Sequence, residues 1–287
     1  MSKLYIADTK RILNDKLFWI TCIIAAVFSF INPLLYKGFD MIPQLLEIFG
    51  EEAAASELKA SFAMLLGAIN AKVLLFASLL PGDNLGLIMP ILISIIVCKD
   101  FSQGTVRNKI ISGKARTKIF FSHLLSSSTV ICGIMLFHAM LTLVIALLFF
   151  PYQDTAFGLS DLGYLLISLL FEIIVYFAIS SIVTLYATVS KNMGICILLY
   201  LASALGLSIV GSITQIAGAA AAMSTTSPVV GEMIEFINAM NFYTAGLIGG
   251  GTTYDLKDVL YIILPPIITA LFSTVSGIFL FSRKNLK

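Results

Sequence analysis

Residues 162–189 read LGYLLISLLFEIIVYFAISSIVTLYATV, and residues 193–217 read MGICILLYLASALGLSIVGSITQIA. Only Ser190, Lys191 and Asn192 separate them. A helix needs about 20 apolar residues to cross the roughly 30 Å hydrocarbon core of a bilayer, and each run is longer than that. Two such helices joined by so short a connection form an antiparallel hairpin. Four more apolar runs follow from the same reading: Leu17–Tyr36, Leu85–Cys98, Ile119–Phe150 and Val259–Phe281. The run ending at Cys98 is short as written. The apolar stretch Lys72–Leu80 precedes it, interrupted by Pro81, Gly82, Asp83 and Asn84. The fold expected is an all-α polytopic membrane protein with six transmembrane helices, in one transmembrane domain spanning 1–287.

Composition agrees. The 287 residues are 59% hydrophobic and 12% charged, with a mean hydropathy of +0.98. A soluble domain carries about 25% charged residues, and a disordered chain needs low hydrophobicity with high charge. The first run begins after a charged segment of 16 residues and exceeds the 7–15 residues of a signal-peptide core, so it reads as a retained span. Cys22, Cys98, Cys132 and Cys196 lie in or beside apolar runs without metal-ligand spacing. They read as small hydrophobes.

Orientation follows from the basic residues. An even number of spans puts both termini on one side. With that side cytoplasmic, 14 of the 18 Lys and Arg lie inside and 12 of the 16 acids outside. The inside acids are Asp8, Asp15 and Asp100, and Glu172 falls within a span. Residues 37–84 and 218–258 become outer loops, and 99–118 the one sizeable cytoplasmic connection. The expected location is a bacterial cytoplasmic membrane, crossed several times.

Residues 1–16 read as an interfacial helix. Tyr5, Ile6, Ile12 and Leu13 share one arc at 100° per residue, opposite Asp8, Lys10, Arg11, Asn14 and Asp15. The basic residues then face anionic lipid headgroups. The bland alternative is a charged tail before the first span.

The connection 99–118 reads KDFSQGTVRNKIISGKARTK. Gly104 and Gly113 bracket a short segment in which Val106, Ile110 and Ile111 alternate with Arg107 and Lys109. Thr105 is placed to cap its start and Gly113 to end it. Such a helix offers an apolar side to a partner's groove. A basic loop that only fixes topology explains the same pattern.

Asp100, Phe101, Gly104, Thr105, Arg107, Ile110, Ile111, Gly113 and Arg116, taken together, resemble the intracellular loop of ABC-2 type permeases. These are the membrane subunits of ATP-binding-cassette exporters. Ala115 and His123 depart from the usual Ser and Lys of that loop. The resemblance implies that those nine residues form a coupling segment docked on a separate ATPase. It also implies that two permeases pair, as a homodimer first and with a sister permease as the alternative, with spans two and five lining the route. The long outer loop 37–84 is closest to bacterial permeases that export antimicrobial or toxin peptides or confer immunity to them. The expected cargo is therefore an amphipathic peptide, moved out of the cell.

The chain carries no G-x-x-x-x-G-K-[ST], and Gly82–Gly86 and Gly246–Gly251 lack the phosphate-binding Lys. No cofactor is expected on this chain: ATP and Mg belong to the partner. Neither H-E-x-x-H nor G-x-S-x-G occurs, so an enzyme is not expected, nor a nucleic-acid partner. Membrane lipid is. Glu172 is the candidate pathway residue. An intramembrane carboxylate is costly and faces protein or water. It either contacts substrate or protons, or makes a structural hydrogen bond. An ion-coupled secondary transporter centred on Glu172 is the competing function. His123 and His138 are four turns apart on one helix, too far to share a metal.

Overall fold

A computed structural model describes residues 2–50, 56–58, 70–81, 84–152, 158–190, 192–223, 233–234, 236–237, 241 and 256–283. Every regular element among them is an α-helix. In chain order the helices are α1 (Ser2–Leu13), α2 (Lys16–Ile48), α3 (Ala71–Leu79), α4 (Asn84–Ser102), α5 (Thr105–Ile111), α6 (Arg116–Phe149), α7 (Leu159–Ser190), α8 (Met193–Met223) and α9 (Leu256–Arg283). Six of them, α2, α4, α6, α7, α8 and α9, are long and apolar enough to cross a membrane. They fall on the six apolar runs of the sequence. Gly246–Gly251 lies outside the described residues.

Asp15 separates α1 from α2. Its backbone is extended (φ −76°, ψ 135°), and its carboxylate accepts a hydrogen bond from the Leu17 N–H at 3.1 Å. It thereby satisfies one of the free donors of the new helix. The second helix does not stop at Tyr36. It continues twelve residues to Ile48, through Lys37, Gly38 and Pro43, and ends at Gly50, whose φ is +83°. Thirty-three residues rise about 50 Å, well beyond the hydrocarbon core. Polar residues ended the apolar run there; a left-handed glycine ends the helix.

The inside of the bundle is α4, α6 and α7, whose most apolar windows are 50–61% buried, against 17–28% for α2, α8 and α9. The central helix is α7, which packs on α4, α6, α8 and α9. The segment before the second span forms its own helix, α3. Asn70 caps it by accepting from the Val73 N–H at 2.9 Å. The N–H groups of Ala71 and Lys72 donate to the carbonyls of Pro151 and Tyr152, at 2.9 and 3.1 Å. Ala71 and Leu74 pack on Ala146 and Phe150, and Lys72 pairs with Asp161 at 3.5 Å. So α3 starts level with the far end of α6 and packs along it, and the chain then turns at Leu80–Pro81 into α4.

That turn requires Gly86, where a Cβ would fall 1.8 Å from the Pro81 carbonyl oxygen. Four residues on, Pro90 has no N–H to give the Gly86 carbonyl. The Tyr200 hydroxyl of α8 donates to it instead, at 2.8 Å. A backbone hydrogen bond lost to one proline is thus replaced from a neighbouring helix, as burial demands.

Candidate functional site

The 99–118 connection gathers at one end of the bundle with α1, the start of α6 and the last turn of α9. Gly104 has φ +71° and forms the N-cap of α5. Thr105 is the first helical residue, and no side chain caps the start. The expected Thr105 cap gives way to a left-handed glycine that turns the chain off α4. At the other end the Gly113 N–H donates to Ile110 O and the Lys114 N–H to Lys109 O, at 2.9 and 3.1 Å, with Gly113 at φ +80°. These paired bonds are a Schellman stop.

The nine candidate residues divide by direction. Asp100 points inward and is almost fully buried. Both of its oxygens meet the guanidinium of Arg11, and His123 Nδ1 lies 3.4 Å away. Phe101 stacks edge-on against Phe281 of α9, with centroids 5.9 Å apart. Arg116 donates to the carbonyls of Phe281 and Ser282, at 3.1 and 2.8 Å. It closes the C-terminus of α9, where helix carbonyls lack partners and carry partial negative charge. Ile110 is half-buried against a cluster of Val106, Ile119, Phe120, Leu124 and Phe281. Arg107 and Ile111 point outward, and Ile111 is 73% exposed.

Residues outside the sequence-derived set hold this arrangement. Lys109 of α5 pairs with Asp8 of α1 at 2.7 Å, and Asp8 also accepts from the Ser122 hydroxyl of α6 at 2.6 Å. Arg11 lies 3.8 Å from the same carboxylate. Lys99 pairs with Asp15 at 2.9 Å. Burial works against the Asp8 carboxylate, yet His123, Lys109 and Ser122 together hold it below the ordinary range. Lys99 does the same for Asp15, with the Leu17 N–H helping. The signal for this network was available: Asp8, Asp15 and Asp100 are the few acids on a strongly basic side, and each meets a base.

The contacts also correct the expected faces of α1. Asp8 is buried with Ile12, while Ile6 and Leu13 are exposed. The packed face follows the ion pairs, because Asp8 finds partners on both α5 and α6. Tyr5 adds a hydroxyl contact to Thr129 of α6 at 3.0 Å.

Glu172 sits apart from this end. It is buried on α7, and its Oε2 makes no hydrogen bond. The Cys196 thiol contacts both Val183 O, at 3.8 Å, and Ser94 Oγ, at 3.3 Å, so those two residues share one depth. Glu172 is eleven residues above Val183, about 16 Å along the helix, which is the depth where α4 begins. His138 is engaged elsewhere: its Nδ1 meets Ser29 Oγ at 2.6 Å and Ala25 O at 3.1 Å, tying α6 to α2. Compared with known families, curated proteins and solved structures, the chain matches none.

Proposed function

We propose that this chain is the permease subunit of an ATP-binding-cassette exporter. It forms the substrate route in a bacterial cytoplasmic membrane, with both termini cytoplasmic. Export is driven by a separate ATPase that docks on α5, and a second permease copy completes the pathway. The cargo is an amphipathic peptide of the antimicrobial or toxin class, a choice that rests on the family resemblance alone. The observation that supports docking is the build of α5. A seven-residue helix is too short to hold itself in water, yet this one is held from behind by Val106 and the Lys109–Asp8 pair. Its front carries Arg107 and the exposed Ile111. An apolar residue beside a cation on a rigid mount suits a groove with an acidic rim. Co-purification of an ATPase with the intact chain, lost in the Arg107→Glu/Ile111→Asp variant, tests this.

A second reading rests on Glu172. A buried carboxylate without a hydrogen-bonding partner for Oε2 suits an ion-coupled secondary transporter. That reading requires proton-driven transport to disappear in Glu172→Gln; a normal rate removes it.

A further inference from the structure

A groove of about 390 Å³ runs along the elbow between α1, α2 and α6. Thr9 and Leu13 form its α1 edge, Trp19 and Cys22 its α2 wall, and Gly133 and Phe137 its α6 wall. Two of these walls belong to membrane-crossing helices, so the groove lies against the bilayer. Trp19 and Phe137, at 61% and 47% exposure, flank it on the lipid side. The lining is apolar except at the α1 end. There the Thr9 hydroxyl is buried without a hydrogen-bonding partner. The elbow also carries cations. Lys10 is exposed in the last turn of α1, and Lys16 is exposed at the start of α2. Neither makes an ion pair among the described residues. The tyrosine contact and the Asp8 pairs fix α1 as the roof.

We infer that this groove is a binding site for one anionic phospholipid. An acyl chain lies between α2 and α6, and the phosphate sits at the elbow beside Lys10 and Lys16. Charge complementarity selects the headgroup, and the dry apolar walls hold the chain. The site is independent of the transport reading, since it needs only that α2 and α6 cross a bilayer. Gly133 gives it a clean test: a Cβ there meets nothing within 4 Å, so a larger side chain enters the groove rather than the protein.

The chain has one tryptophan, Trp19, and it lies at the groove. Its fluorescence in nanodiscs reports contact with phospholipids brominated on the acyl chain. Brominated phosphatidylglycerol is expected to half-quench it at a mole fraction on the order of fivefold lower than brominated phosphatidylcholine. Gly133→Phe abolishes that preference by filling the groove. Lys10→Gln/Lys16→Gln abolishes it by removing the headgroup contacts, and these exposed changes keep the test available if Gly133→Phe does not insert. Equal quenching by the two lipids in the intact chain overturns the site. So does a preference that survives either variant, or an absence of quenching, which would mean that protein covers the groove.

Discussion

Asp8 and Lys109 stand 101 residues apart in the chain, and their side chains meet at 2.7 Å. Through this pair the N-terminal helix holds α5, and through Ser122 the same carboxylate holds the start of α6. Three elements are thus joined at one buried carboxylate.

A double-mutant cycle on Asp8→Ala and Lys109→Ala should give a coupling energy of about 0.5–3 kcal/mol, as for contacting residues in one network. The destabilisation of Asp8→Ala should exceed that of Lys109→Ala, because it also strands the Ser122 hydroxyl and one side of Arg11. Thermal unfolding of the purified variants in nanodiscs measures both.

The same carboxylate sets a pH response. The pKa values of Asp8 and Asp15 lie below the ordinary 3.8 in the folded chain. Their stabilisation is therefore fully present above that value and is lost as pH falls through the lower folded values. A spin label at exposed Ile6 should gain mobility as pH falls below 3.8. In Asp8→Asn, the Asp8 part of this transition should vanish.

Tyr200→Phe should destabilise the bundle by about 0.6–1.7 kcal/mol, the range for hydrogen bonds between membrane helices. The cause is the Gly86 carbonyl, left with no donor. Pro90→Ala restores an N–H four residues on, so Tyr200→Phe should cost measurably less in that background. Equilibrium unfolding of the four chains forms the cycle.

The contact of α9 with α6 depends on Gly277. A Cβ there would fall 2.4 Å from Phe120 Cζ, and Phe120 is fully buried. Gly277→Ala should cost about 1–3 kcal/mol by overpacking, and Phe120→Leu should relieve part of that. Melting temperatures of the single and double variants decide it.

The spans were legible because apolar length alone identifies them, and all six long apolar helices coincide with runs in the sequence. Their ends were less so. Tyr36 closes an apolar run but not α2, because a helix continues through polar residues until a residue such as Gly50 stops it. The nine-residue α3 was legible as apolar sequence; its separation from α4 depends on the Pro81 turn folding back over Gly86. Of the 99–118 connection, the brackets Gly104 and Gly113 could be read directly, but not that Val106 and Ile110 pack inward while Ile111 alone of the three faces out. That acids on a basic side would pair was legible, but not which bases Asp8 and Asp100 meet or that Asp8 is buried, since periodicity within α1 assigns charge to the outside. The partners of Asp8 and Arg11 lie about a hundred residues away, on α4, α5 and α6.

The most direct measurement is the amount of ATPase retained by the tagged full chain, purified from cells that produce both, with and without Arg107→Glu/Ile111→Asp. The docking account predicts about a tenfold loss or more, the scale of an interface hot spot, with membrane insertion unchanged. Undiminished ATPase retention by that variant, or export into vesicles by the purified chain with no ATPase present, would contradict it.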